Sequence, residues 1–166
     1  MRLYTVGYST ATIHQLVGSL LESEVKTVVD VRSIPRSRLP QFSQTQLQRA
    51  LQVARITYRY MGDRLGGMPK DESLKEAWRQ GQLNSRILAS IRASSEWNQG
   101  IAELCQMVVS VPNDFVCILC SEANPNECHR KAVALDVAKR RPQVEIIHLV
   151  LGNNARHEVG VQEAFM

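Results

Sequence analysis

The sequence lacks the long apolar segments and the dense cysteine pattern that are typical of membrane and secreted proteins. No apolar run approaches the ~20 residues that a membrane-spanning helix needs, and residues 1–6 lack the charged-then-apolar order of a signal peptide. Four cysteines in 166 residues are too few for a dense disulfide framework, and a reducing cytosol keeps such thiols free. We therefore expect a soluble, cytoplasmic protein with no membrane partner.

Acidic residues are absent from one stretch of the chain. Residues 31–62 contain no Asp, Glu or Lys. They do contain six arginines: Arg32, Arg36, Arg38, Arg49, Arg55 and Arg59. The planar fork of arginine grips phosphate or carboxylate at two points, whereas lysine acts as a point charge. This stretch predicts an anionic partner, either a small molecule or a nucleic acid, against the alternative of a solvated arginine-rich surface.

Aromatic residues are also scarce, at 5% of the chain, which argues against a protein that stacks single-stranded bases. A chain of 166 residues with 44% hydrophobic content can bury one ordinary core. No internal repeat or interdomain linker interrupts it. We predict a single α/β domain over residues 1–151 and a polar C-terminal tail over residues 152–166.

Short β-prone runs alternate with segments of helical periodicity. The apolar and β-branched runs predict five strands, at residues 3–6, 27–31, 57–61, 115–120 and 144–150. Apolar residues at helical spacing predict helices between them, one beginning with a capping box at Ser43 and Gln46 and another running from about Cys128 to Arg140. Residues 68–94 show no clean period and predict a loop followed by one or two helices.

This alternation predicts a three-layer domain, a mainly parallel sheet with helices on both faces. By analogy with doubly wound folds, right-handed crossovers predict the Rossmann-like strand order 3-2-1-4-5. Ligands of such sheets bind beyond the carboxyl ends of the strands. Three segments occupy those ends: Gly7-Tyr8-Ser9, Asp30-Val31-Arg32 and Cys120-Ser121-Glu122.

Cys120 ends a buried strand and precedes a loop that leads to Cys128, His129 and Arg130. A thiol that faces a helix N-terminus and an arginine ionises easily and can act as a nucleophile. The alternative is a small buried core residue. A phosphatase cradle would need arginine at the sixth position after the cysteine, where Asn126 stands. A rhodanese-like sulfur-transfer domain has a similar layout with a shorter loop, which makes that activity a weaker hypothesis.

Cys120, Cys128 and His129 also offer the thiolate and imidazole groups that zinc prefers. Adjacent residues of a helix point about 100° apart, so Cys128 and His129, at the start of the predicted helix, are poorly placed to share one ion. The sequence shows no clear fourth ligand. We therefore assign no metal site.

Asp30 and Arg32 lie on the same face of a strand end, because side chains alternate along a strand. They can form a mutual salt bridge that fixes the following loop. Asp30 can instead act as a general acid or base if a proton of water or substrate lies within its reach. Arg36 and Arg38 follow Pro35 on a loop that we expect to be exposed and able to reach an anion.

Five segments match one pattern in order: residues 4–9, residues 29–37, Pro40-Gln41-Phe42, Leu65-Gly66-Gly67 and residues 120–130. Together they resemble the domain-of-unknown-function 488 family, which has no settled activity. The resemblance implies an α/β domain and a polar site built from Ser9, Asp30, Arg32, Arg36, Cys120, Glu122, Cys128, His129 and Arg130. The family more often has His where this chain has Tyr8. That replacement removes a base that titrates near neutral pH.

The favoured hypothesis is an enzyme that acts on a phosphate-bearing substrate, a nucleotide or a nucleic acid. Its catalytic candidates are Asp30, Cys120 and Glu122. The candidates for binding the substrate or another anion are Gly7, Tyr8, Ser9, Arg32, Arg36, Cys128, His129 and Arg130. The alternative is a non-catalytic nucleic-acid-binding module that uses the arginine-rich loop. The sequence identifies no cofactor, no protein partner and no reaction type.

Overall fold

The protein is built around one six-stranded sheet. A computed structural model describes residues 1–110 and 113–152, and the backbone of residues 156–159. The strands are β1 (Arg2–Gly7), β2 (Val25–Asp30), β3 (Thr57–Tyr60), β4 (Phe115–Cys120), β5 (Glu145–Val150) and β6 (Arg156–Val159). The five predicted strands are confirmed to within two residues at either end.

Among the described residues, seven α-helices accompany the sheet. They are α1 (Ile13–Glu22), α2 (Gln44–Val53), α3 (Gly62–Leu65), α4 (Glu72–Arg79), α5 (Ser85–Arg92), α6 (Ser95–Ser110) and α7 (Arg130–Arg140). Two short 3₁₀ helices lie at Pro40–Phe42 and Pro125–Glu127. The loop and helices expected at residues 68–94 are confirmed, since α4 and α5 both lie there.

The α/β class and the mainly parallel sheet are confirmed, but the predicted strand order was wrong. The order is β3-β2-β4-β1-β5-β6, with the first five strands parallel and β6 antiparallel to β5. β4 therefore lies between β2 and β1. β1 and β4 are each buried along five of six residues, so their apolar character alone could not decide which strand is more central.

Alternation of side chains along the strands divides the core into two layers. On one side, Leu3 and Ile118 pack with Trp97 and Ile101 of α6 and Val133 of α7. We call this side the α6/α7 face. On the other side, apolar residues of the same strands pack against α1 and α2, and we call it the α1/α2 face. Its core includes Val6, Val28, Leu119, Leu16 and Leu47.

Two predicted helix starts differ in detail from the structure. Ser43 is the N-cap of α2, but its side chain accepts no capping hydrogen bond. The capping box forms instead at α1, where Thr12 Oγ1 accepts from the Gln15 amide at 3.1 Å and Gln15 Oε1 accepts from the Thr12 amide at 2.8 Å. α7 begins at Arg130 rather than Cys128, because the 3₁₀ helix before it ends in extended backbone at Cys128.

The C-terminal stretch that the sequence predicts as a polar tail contains the sixth strand. The backbone of Arg156–Val159 pairs antiparallel with β5, while residues 153–155 and 160–166 lie outside the described residues. The division at residue 151 stays a prediction. No helix in the described part of the chain is both long and apolar enough to cross a membrane.

Candidate active site at the carboxyl edge of the sheet

The three segments singled out in the sequence meet directly at one edge of the sheet. Gly7 is the register partner of Cys120, and Asp30 is the register partner of Leu119. Backbone hydrogen bonds extend this pairing beyond the strands, from the Tyr8 amide to the Cys120 carbonyl at 3.2 Å and from the Ser9 amide to the Ser121 carbonyl at 2.7 Å. The corrected strand order places Cys120 between the other two segments.

The side chains of these segments nevertheless divide between the two faces of the sheet. Asp30, Arg32, Tyr8 and Phe42 form one group on the α1/α2 face, which we call the Asp30 cluster. Cys120, Glu122, Cys128 and His129 form the second group on the α6/α7 side, which we call the Cys120 cluster. The candidate site therefore consists of two clusters with different surroundings.

Asp30 is fully buried and bonded on both carboxylate oxygens. Arg32 grips it with two charge-assisted hydrogen bonds, Nε to Oδ1 at 2.9 Å and Nη2 to Oδ2 at 2.6 Å. The Arg32 amide donates to Oδ1 at 3.1 Å and the Tyr58 hydroxyl donates to Oδ2 at 2.7 Å. These contacts leave Asp30 without access to solvent, which favours the salt-bridge role over acid–base catalysis.

Arg32 is similarly engaged by groups of the protein itself. Its Nη1 donates to the Phe42 carbonyl at 2.7 Å and to the Tyr8 hydroxyl at 3.3 Å, and the Tyr8 ring stacks on Phe42 with centroids 4.1 Å apart. Burial is the largest single influence and lowers the pKa of Arg32, but hydrogen bonds and the charge of Asp30 raise it overall. Arg32 therefore stays charged and ties the loop after β2 to the sheet.

The Cys120 cluster brings four polar side chains together around the end of β4. The Cys120 thiol donates to Glu122 Oε2 at 3.3 Å. One donor atom each from Cys120, Cys128 and His129 lies within 4.8 Å of the other two. All three residues are buried. Among the described residues, no second group of three such side chains converges in this way.

Backbone conformation explains how Cys128 and His129 converge although they are adjacent. Cys128 has φ −131° and ψ 136°, which is extended, whereas His129 has φ −61° and ψ −17°. The argument that adjacent helical residues point about 100° apart does not apply, because Cys128 precedes the helix. The argument that Cys128 and His129 cannot bind the same metal ion was therefore wrong.

Hydrogen bonds within the Cys120 cluster set the protonation of its members. Burial is the largest influence on Glu122 and raises its pKa, but a backbone amide, the two thiols and His129 together lower the pKa below its ordinary value. A hydrogen bond with Cys120, together with burial, raises the pKa of Cys128. Glu122 is therefore ionised at neutral pH, while Cys128 keeps its proton.

His129 is fixed by the backbone of the segment that follows β2. Its Nε2 lies 2.9 Å from the Val31 carbonyl, which can only accept, so Nε2 carries a proton. Burial is the largest influence on its pKa and lowers it, but Cys128, Val31 and Glu122 raise it overall. A side chain at Gly67 would lie 2.7 Å from Nδ1. Glycine there lets the chain pass beside the ring.

Arg130 is committed to the loop that precedes α7. It is 1% exposed and donates to the carbonyls of Glu122 and Ala123 and, at 3.4 Å, to the Thr5 hydroxyl. The Glu122 carbonyl passes over Gly7, where an added Cβ would lie only 1.7 Å from it. Arg130 therefore holds the Cys120 cluster in place and has little capacity left for an external anion.

A cleft gives the Cys120 cluster access to solvent. Gly67, Trp78, Glu122 and His129 line two adjoining cavities, of about 310 Å³ and about 130 Å³. The larger extends towards Leu83 of the α4–α5 connection, and the smaller extends to residues 32–34. We call the two together the Trp78 cleft. Of the catalytic candidates, Cys120 and Glu122 border it and Asp30 does not.

The comparison with known families adds one finding to this geometry. The family model described as "Domain of unknown function DUF488" matches residues 12–135. The chain belongs to the DUF488 family. No curated protein and no solved structure matches it.

The DUF488 match begins after Gly7, Tyr8 and Ser9 and includes every other residue of the two clusters. Tyr8 is buried against Phe42. Ser9 is exposed and has a φ of 42°, a left-handed conformation that is uncommon for a residue other than glycine. Arg36 is exposed, and its side chain forms no hydrogen bond or ion pair with any described residue. Of the predicted arginine ligands, Arg36 is the one that faces solvent.

Five residues that contribute to this DUF488 site were not among the predicted site residues. They are Thr5, Phe42, Tyr58, Gly67 and Trp78. The Gly66-Gly67 pair carried a usable signal, because glycines in succession often mark a close backbone approach. Thr5, Tyr58 and Trp78 lie within ordinary strand or helix patterns and carried no signal of their own.

Proposed function

We propose that the protein is an enzyme that acts on a phosphate-bearing substrate, a nucleotide or a nucleic acid, with the reaction at the Cys120 cluster. One observation carries the proposal: Glu122, an ionised carboxylate beside two thiols and an imidazole, lines a cleft that opens to solvent. Such clusters of coupled ionisable groups in a cleft are typical of active sites.

Glu122 is the acid–base residue of this proposal. It lies at the cleft wall, where a bound substrate or water can come within hydrogen-bond distance of its carboxylate. Its lowered pKa keeps it deprotonated and ready to accept a proton at neutral pH. Asp30 is sealed by Arg32 and Tyr58 and has no such access.

Cys120 is a weaker candidate for a covalent role. Its side chain is 2% exposed and gives its thiol proton to Glu122 in a hydrogen bond. A nucleophile must ionise and reach its target. A rhodanese-like persulfide would need the same access. If both Cys120→Ala and Cys120→Ser abolish turnover, the thiol has a chemical role, whereas turnover that both variants retain indicates packing alone.

The arginine-rich segment supports an anionic substrate. Five of its six arginines are exposed, and their side chains form no hydrogen bond or ion pair with described residues: Arg36, Arg38, Arg49, Arg55 and Arg59. Arg36 and Arg38 follow Ser33 and Ile34, which border the smaller cavity of the Trp78 cleft. They can therefore hold phosphate groups while the reacting part of the substrate enters the cleft.

The test is incubation of the full chain with pooled nucleotides and short oligonucleotides, with chromatographic detection of products. Glu122→Gln should abolish turnover and preserve retention of the substrate, because the change removes the base and little volume. Glu22→Gln, an exposed carboxylate at the end of α1, is the matched control and should leave turnover unchanged. Product formation by Glu122→Gln at the wild-type rate would contradict the proposed role.

A non-catalytic nucleic-acid-binding module is the second candidate, favoured by the same five exposed arginines. Phosphate contacts of this kind are sequence-independent and weaken steeply with salt. Retention of oligonucleotides that is lost with salt and with Arg36→Ala/Arg38→Ala, without any product, would favour the module. Arg86→Ala, which removes one exposed arginine on α5, is the charge-matched control for each single change.

A further inference from the structure

We propose that the Cys120 cluster is a binding site for zinc or a chemically similar transition metal ion. Cys120 Sγ, Cys128 Sγ and His129 Nδ1 would be the three ligands, and Glu122 would lie beside a fourth position that opens to the Trp78 cleft. The metal site itself stands on the geometry of the cluster. Its use in a reaction rests on the proposed function.

The ligand atoms are already close to the spacing that zinc requires. Zinc at its usual distances of roughly 2.3 Å from sulfur and 2.0 Å from nitrogen holds neighbouring ligands roughly 3.5 Å apart. The donor atoms of Cys120, Cys128 and His129 lie within 4.8 Å of one another. Closing the remaining gap needs only small movements of side chains, since the backbone already brings them together.

A hydrogen bond orients the imidazole of His129 so that Nδ1 is the nitrogen left for a metal. Its Nε2 donates to the Val31 carbonyl at 2.9 Å. In a neutral ring this leaves Nδ1 with the free lone pair. A backbone carbonyl that accepts from the other ring nitrogen is a common support of metal-binding histidines. Gly67 keeps the Nδ1 side clear, because an added Cβ there would lie 2.7 Å away.

The chemistry of the donors favours a transition metal over calcium or magnesium. Two thiols and an imidazole suit zinc and its neighbours, whereas calcium and magnesium require oxygen ligands. Binding would release the two thiol protons. A dipositive ion with two thiolates and a neutral imidazole has no net charge, which makes it compatible with three buried ligands.

Three protein ligands and one open position are typical of catalytic rather than structural zinc. Loss of the Cys120 thiol proton would also remove the donor that Glu122 now binds. A zinc ion held by these three ligands would supply Lewis-acid activation of a water or of the substrate, and the freed carboxylate of Glu122 would serve as the base beside it.

The experiment uses the full chain, treated with a chelator and a reductant and returned to metal-free buffer. Zinc should bind with a stoichiometry of one ion per chain, measured by competition with a chromophoric chelator. Cobalt should produce the near-ultraviolet band of thiolate-to-cobalt charge transfer and the visible bands of tetrahedral cobalt. Cys120→Ala, Cys128→Ala and His129→Ala should each lose zinc binding and the intensity of these bands.

Two buried cysteines outside the cluster supply matched controls. Cys105→Ala and Cys117→Ala remove a buried thiol each and should retain zinc binding. If a ligand variant fails to fold, the alkylation of the wild-type cysteines tests the site instead. Zinc should protect Cys120 and Cys128 from alkylation and leave the labelling of Cys105 and Cys117 unchanged. Equal labelling with and without zinc, or undiminished binding by folded ligand variants, would overturn the metal site.

The metal site and the proposed function can fail separately. Stoichiometric zinc binding with no product from any nucleotide or oligonucleotide would retain the site and reject the proposed enzyme. Turnover that depends on Glu122 but persists at full rate after metal removal, with no zinc or cobalt bound, would reject the site and retain the enzyme.

Discussion

The Asp30 cluster and the Cys120 cluster lie at the same edge of the sheet, but their polar atoms are satisfied differently. Asp30 receives four hydrogen bonds from Arg32 and Tyr58, and none of them leads to solvent. In the Cys120 cluster, the charged Glu122 accepts a hydrogen bond from the Cys120 thiol and lines the open Trp78 cleft. The first cluster is closed and holds a loop; the second has capacity left for a ligand.

This difference follows from the alternation of side chains along neighbouring strands. Residues that end β2 and β4 at the same level can point to opposite faces, so proximity in the sheet does not make one site. Asp30 points towards α2, where the Tyr8 and Phe42 rings exclude water. Cys120 points towards the start of α7, where the loop from β4 leaves a cleft. The two faces thus separate the closed Asp30 cluster from the Cys120 cluster, which borders a cleft.

The largest expected effect concerns the closed cluster. Arg32→Ala leaves the Asp30 carboxylate buried without its partner, and breaking such a pair costs about 3–5 kcal/mol of unfolding free energy. Urea denaturation followed by circular dichroism measures it. Glu122→Gln in the open cluster should change stability by less than about 1 kcal/mol while abolishing turnover.

The opposite result for Arg32→Ala would contradict the contrast between the two clusters. If Arg32→Ala keeps near-wild-type stability but loses binding of nucleotides, Arg32 is a ligand-binding residue, as the sequence analysis predicted. The double variant Asp30→Asn/Arg32→Met is the second control. It removes both charges together and should cost less than Arg32→Ala alone, because no unpaired charge stays buried.

An intermediate effect is expected at the contact between β1 and the loop of the Cys120 cluster. A Cβ at Gly7 would overlap the Glu122 carbonyl, so Gly7→Ala should displace that loop and destabilise the fold by about 1–3 kcal/mol. Turnover should fall as well, since Glu122 moves. Gly18 in α1 has no atom within 4 Å of an added Cβ, and Gly18→Ala should instead stabilise by about 0.5–1 kcal/mol. Equal effects of the two changes would contradict the close approach.

Much of this architecture could be predicted because it depends on local pattern. Continuous apolar runs identified the five parallel strands, and strand ends followed by polar residues located Gly7, Asp30 and Cys120. The order of β1 and β4 could not be predicted, since both are equally buried. Only the packing of the whole chain decides which of two similar strands is central.

The roles within the site depended on contacts that one sequence does not contain. Arg32 donates hydrogen bonds to the Phe42 carbonyl, and Arg130 donates to the carbonyls of Glu122 and Ala123. These contacts use donors that would otherwise be available to a ligand. Backbone acceptors have no residue-type signature. The convergence of Cys128 and His129 likewise depends on an extended residue before α7, which the predicted helix start had excluded.

The smallest expected effect concerns a third polar group, which is closed although it lies on the same face as the Cys120 cluster. Arg130 donates to Thr5 Oγ1, and Thr5 Oγ1 lies 2.7 Å from Nδ1 of His148. Burial, followed by the charges of Arg130 and Lys131, lowers the pKa of His148 to about 4. The hydrogen bond between Thr5 and the neutral ring completes this network without a ligand.

Stability should therefore depend on pH through His148. The unfolded chain takes up a proton near the ordinary pKa of about 6.5, whereas the folded chain does so only near pH 4. The contribution is fully present above about pH 6.5, declines as the pH falls towards 4 and changes no further below it. Allowing for the partial exposure of the ring, the loss of unfolding free energy should be about 1 kcal/mol.

Urea denaturation across this pH range measures the effect. The unfolding free energy of His148→Asn should decline less steeply than that of wild type, while His14→Asn, at an exposed position on α1, should follow the wild type. Parallel pH profiles for wild type and His148→Asn would mean that this network is open to water. Exclusion of water would then no longer distinguish it from the Cys120 cluster.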